Sequence, residues 1–196
     1  MSNRELEKLH TRESIAEPSG CGLQPRPKEI KPRLEATVAS ALIVGIGSAH
    51  GDDRVGWLVA DQIREFADRN HFELRIAKSP ADLLDWIQCD QQLVICDACH
   101  GLGQVGDLQK WLWPAPEIFK VTMSGTHNLS LPTVLDLAKN LGRLPNEVVI
   151  WAIEGAIGQS TAAMSPEVLQ AVPKLVSRIT NDLNAGRPLR GPDDEC

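Results

Sequence analysis

The chain has 196 residues, 42% of them hydrophobic, enough for a domain with a substantial core and too many for a wholly disordered chain. A formal net charge of −6 gives a nucleic-acid backbone or an anionic membrane no attraction to the average surface. No apolar run approaches the roughly 18 residues of a membrane span, and Met1 to Ser14 hold no signal-like apolar stretch, so a cytoplasmic protein with its five cysteines reduced is expected.

Residues 1–37 carry Pro18, Pro25, Pro27 and Pro32 among many charges, with no sustained apolar period. They read as a flexible extension, because such a segment cannot bury enough surface to offset its chain entropy. Residues 38–186 read as one α/β domain and 187–196 as a polar tail. Within the domain, the apolar run from Ala41 to Gly45 predicts a buried strand. Val55, Leu58, Val59, Ile63 and Phe66 then recur at helical spacing. Phe72 to Ala77 alternates as a second strand, and Ala81 to Gln88, after Pro80, predicts a short helix. Gln92 to Asp97 is a third strand, with Asp97 at its end. Asp107 to Leu112 suits a sheet edge.

Ser130 is placed to cap a helix over Leu131, Val134, Leu135, Ala138 and Leu141, with Gly142 as its stop. Glu147 to Ile153 is β-branched and strand-like. Ser165-Pro166-Glu167 opens a last helix, with a kink or break expected at Pro173. Strands alternating with helices predict a doubly wound, mostly parallel sheet with helices on both faces. The functional crevice of such a sheet lies beyond the C-terminal ends of its strands.

Three polar groups fall there. Asp53 follows the first strand through the loop from Gly45, Asp97 ends the third, and His127 precedes the Ser130-capped helix. Two carboxylates and an imidazole suit a borderline divalent metal, with positions left open for water or for a partner's ligand. The plainer reading is that such residues cap turns and helices. His50 and His100 stand close by and could add a ligand or receive a substrate, although each also suits an ordinary loop. Asp52 reads most simply as a helix cap.

The segment Leu42-Ile-Val-Gly-Ile-Gly-Ser-Ala-His-Gly-Asp-Asp-Arg-Val-Gly56 resembles the first motif of the hydrogenase maturation endopeptidases, a strand and glycine loop leading to an acidic pair, Val-Gly and a helix. Val94-Ile-Cys-Asp-Ala98 is similar to the second, and Ser124-Gly-Thr-His-Asn-Leu-Ser-Leu131 to the third. Ile153-Glu-Gly155, Gly158 and Met164-Ser-Pro-Glu-Val168 follow in family order, so the resemblance spans about residues 39 to 183. It implies a doubly wound α/β fold and an aspartyl-type, nickel-dependent endopeptidase. Asp53, Asp97 and His127 would be both its catalytic residues and its nickel ligands. The implied partner is a [NiFe] hydrogenase large-subunit precursor that carries the nickel and loses its C-terminal extension, and the enzyme is expected to act as a monomer. Departures from the motif are Ser48 in place of asparagine, a loop one residue shorter, Asp rather than Glu at position 53, and a positive Arg54 beside it. No Pro-Gly turn is evident after the second motif. They keep open an alternative, a non-catalytic nickel-sensing or chaperone module that binds the precursor.

Other motifs point elsewhere with less force. Gly45-x-Gly47 with Gly51 departs from dinucleotide-loop spacing, and two carboxylates follow where a pyrophosphate would sit. Cys96-Asp-Ala-Cys-His100 matches a haem-attachment pattern, but Cys96 lies within a buried strand pattern, where cysteine packs as a small hydrophobe. There is no Gly-x-Ser-x-Gly elbow and no His-Glu-x-x-His helix.

Overall fold

Six strands pair into one sheet in the structure, a computed structural model that describes residues 41–66, 72–123, 129–156 and 163–184. The extension over 1–37 and the tail over 187–196 lie outside the described residues. β1 (Ala41–Ile46), β2 (Phe72–Ala77) and β3 (Gln92–His100) come first, then β4 (Leu108–Leu112), β5 (Thr122–Met123) and β6 (Val148–Glu154). Their order is β2-β1-β3-β6-β4, with β5 pairing β3 off this path. β1 runs parallel to both β2 and β3, and β3 parallel to β6. β4 lies antiparallel at the edge. This is the expected mostly parallel sheet. Central strands with apolar residues at nearly every position, such as Ala41–Ile46 and Val148–Ile153, are what a sheet covered on both faces requires.

The helices α1 (Val55–Arg64), α2 (Leu131–Asn140) and α3 (Pro166–Asn184) supply that cover. Strand pleating sends Leu42, Val44, Leu93 and Ile95 to one face, where they pack with Leu131, Val134 and Leu135 of α2. Ile43, Val94 and Cys96 face the other way, onto Val55, Val59 and Ile63 of α1 and Val168, Val172 and Leu175 of α3. Among the described residues, no helix is long and apolar enough to cross a membrane.

The start of α1 is seated directly on the sheet backbone. A Cβ on Gly56 would stand 2.1 Å from the Ile46 carbonyl oxygen and 2.4 Å from that of Cys96. Only a glycine permits that approach. It carries Asp53, three residues upstream, toward Asp97, the neighbour of Cys96. Trp57 fixes the same end of α1 by donating its Nε1–H to the Ala77 carbonyl at 2.7 Å.

Three local expectations are revised. The helix expected over 81–88 is a 3₁₀ segment, Pro80–Asp85, begun by a reciprocal cap between Ser79 and Asp82. β3 does not stop at Asp97, because β5 and β6 keep pairing it as far as Cys99 and His100. α3 runs unbroken through Pro173. Pro173 is exposed, and Leu169, whose carbonyl it leaves without an N–H donor, is 47% exposed, so water can satisfy that group while the buried stripe on the other side holds the helix together.

Candidate active site

Asp97 lies inside β3 and is almost wholly buried. Its Oδ1 accepts the N–H of Ala98 at 2.7 Å, and its Oδ2 has no hydrogen-bond partner. Burial raises its pKa well above the ordinary carboxylate range; the Ala98 hydrogen bond opposes that shift and the negative charge of Asp53 adds to it. Asp53, in the short 3₁₀ turn Gly51–Arg54, likewise has a buried oxygen, Oδ1, without a partner. Two carboxylates that feel each other's charge, each with an unsatisfied buried oxygen, form a site short of a positive or proton-donating group. That donor set fits a divalent cation brought from outside.

Asp52 does not cap α1. Its carboxylate accepts the N–H of Ala156 at 2.9 Å, the N–H of Ser165 at 2.6 Å and the Ser165 hydroxyl at 2.8 Å. It thereby ties the turn bearing Asp53 to the end of β6 and the start of α3. Glu154, the last residue of β6, is buried and plays the corresponding part on the other side. It accepts the N–H groups of Gly101 at 2.5 Å and Leu102 at 3.4 Å and the Cys99 thiol at 3.4 Å. The loop after β3 is thus held down beside the pair. Neither role is visible in the sequence, since the partners are main-chain groups of distant loops. Ser165 opening a helix and a glutamate ending an apolar strand were the available hints.

The remaining candidates fare differently. His100 closes β3, half-buried, with its Nδ1 3.0 Å from the Gly155 carbonyl oxygen. His50 is exposed, and its backbone N–H donates to the Ser48 hydroxyl at 3.4 Å. Arg54 is also exposed, and no ion pair joins it to Asp53 or Asp97 among the described residues. His127 lies outside the described residues. Among those described, no three His, Cys, Asp or Glu side chains are spaced to hold a metal ion. Cys96 and Cys99 are buried, as a strand reading of the haem-like motif requires. Burial pushes both thiols well up, with Asp97 adding to the shift at Cys96 and Glu154 at Cys99. A cavity of about 580 Å³ opens elsewhere, between β4 and α3, over Lys110, Trp151 and Arg178. It is lined by neither Asp53 nor Asp97.

A family profile described as hydrogenase maturation protease matches residues 78–182. Several solved structures share the fold. The hydrogenase maturating endopeptidase HybD from E. coli has 16% identity and a TM-score of 0.59, over 74% of this chain and 93% of that one. The [NiFe] hydrogenase maturation protease HycI from Thermococcus kodakarensis KOD1 has 20% identity and a TM-score of 0.56, over 76% and 95%. The HybD protein of Thermococcus kodakarensis has 18% identity and a TM-score of 0.57, over 73% and 98%. No curated protein sequence matches the chain.

Proposed function

The chain belongs to the hydrogenase maturation protease family, and from that premise we propose that it is an endopeptidase that removes the C-terminal extension of a [NiFe] hydrogenase large-subunit precursor. The nickel belongs to the substrate. Asp53 and Asp97 engage it from outside, with His127 as the third donor on the strength of its motif. The observation that carries this reading is the pair of buried, partnerless oxygens, Asp53 Oδ1 and Asp97 Oδ2. A cation supplied by the substrate would satisfy both at once and bring the raised Asp97 pKa back down.

The chain's own groups then divide the work. Asp52 and Glu154 hold the two loops that flank the carboxylates. Gly56 keeps α1 against the sheet, which fixes the reach of Asp53. A bound divalent ion supplies polarisation of the scissile carbonyl or of an attacking water. Cleavage that depends on nickel would make processing a check that the metal is in place.

The test is mass spectrometry of the purified precursor after incubation with the protein, with and without nickel loading. Loss of a C-terminal peptide from the nickel-loaded form alone is the expected result. A precursor that stays intact yet co-purifies with the protein would favour the binding module instead.

A further inference from the structure

The Gly155 carbonyl that His100 Nδ1 meets at 3.0 Å can only accept a hydrogen bond, so Nδ1 carries the proton. In the neutral ring, Nε2 is then left with a bare electron pair. No other hydrogen bond to the ring occurs among the described residues. The loop that sets this tautomer is itself pinned. The Gly155 N–H donates to the Cys99 carbonyl at 2.9 Å, and the Ala156 N–H donates to Asp52. A Cβ on Gly155 would lie 2.8 Å from His100 Cε1 and 3.1 Å from Asp52 Cβ. The imidazole and Asp52 therefore flank one point of the loop, and Asp52 directly precedes Asp53. His100 stands beside Asp52, the residue before Asp53, oriented by main chain, and no described residue bonds its second ring nitrogen.

Two ordinary roles explain less. As cement for the loop, the ring needs Nδ1 alone. As a metal ligand beside Asp53 and Asp97 it would complete a group of three, and no such group exists among the described residues. A base oriented by main chain beside the turn that bears Asp53, but outside the ligand set, suits proton transfer.

We propose that His100 is the proton carrier of peptide hydrolysis at this site, a role that rests on the peptidase reading above. Water adds to the scissile carbonyl carbon, forming the new C–O bond while one O–H bond of the water breaks and its proton passes to Nε2. The C–N bond then breaks and Nε2 gives that proton to the departing nitrogen. The products are a carboxylic acid, which ionises to solvent, and a free amine, and His100 returns to its starting form.

The experiment compares the full-length protein with His100→Gln and His100→Ala on purified nickel-loaded precursor, with ¹⁵N NMR of the wild-type imidazoles alongside. The expected result is a fall in kcat of about 100-fold or more, with KM within about twofold, and a His100 signal showing Nδ1 protonated and Nε2 bare. Wild-type kcat in either variant, or a rise confined to KM, overturns the proposal. A proton on Nε2 and none on Nδ1 does the same, and decides the matter if both variants fail to fold. Failure of the wild-type protein to cut the loaded precursor sinks the peptidase reading itself, whereas an active wild type with fully active variants sinks only the role of His100.

Discussion

Asp97 is held at a cost to the fold. Its folded pKa is raised, so the unfolded chain ionises first as pH climbs from the ordinary value of 3.8. The folded state is favoured below that value and loses stability as pH rises toward the raised one. Asp97→Asn keeps an oxygen for the Ala98 N–H and removes the buried charge, so it should raise Tm at pH 7, with the gain shrinking as pH approaches 4. A thermal melt that shows a lower Tm for the variant at neutral pH contradicts this account. Asp52 behaves in the opposite sense. Asp52→Ala strands the N–H groups of Ser165 and Ala156, and should cost about 2–4 kcal/mol in urea unfolding. The sequence marks Asp97 as an acidic group at a strand end, which together with Asp53 was enough to nominate the site, but it marks Asp52 only as a helix cap. The different duties of Asp52 and Asp97 were not legible, because these depend on which oxygen meets a main-chain donor and which meets none.

The elements were legible wherever one period dominated. β1, β6 and the stripe of α3 follow from runs of apolar residues that nothing interrupts. Boundaries were set by partners instead: β3 gains three residues past Asp97 because β5 and β6 supply hydrogen bonds there. Pro173 was read as a kink or a break because a proline opposes helix locally, but the helix continues through it, with Pro173 on the solvent side while six apolar residues of α3, from Val168 to Ile179, stay buried on the other. Tertiary burial outweighs the local penalty. Pro173→Ala should therefore restore a main-chain hydrogen bond without disturbing the core, and stabilise the protein by about 1–3 kcal/mol. Chemical denaturation would read the change, and a loss of stability would mean that the proline ring packs in a way its exposure does not suggest.

At the scale of the molecule, a parallel sheet wound on both faces gathers functional groups at one rim, and that rule led from sequence to the crevice. What the rule could not supply was the electrostatic state of the rim. With Asp97 protonated at low pH, the site offers a metal one carboxylate fewer. Association with nickel-loaded precursor should accordingly weaken as pH falls through the raised Asp97 pKa, because binding must expel that proton. Calorimetry over a pH series upward from 4 would measure it, and association that stays equal or tightens toward the acid end would count against a carboxylate approach to the metal.

The hydrogen bonds of Asp52 to Ala156 and Ser165 join positions 104 and 113 residues apart. A ribosome that has made β1, α1 and even the whole sheet still holds a chain in which the turn bearing Asp53 lacks its anchor. Contacts of such sequence separation form slowly, and these two can close only after synthesis has passed Ser165. A partly synthesised copy that stops short of Ser165 therefore leaves the turn bearing Asp53 without that anchor.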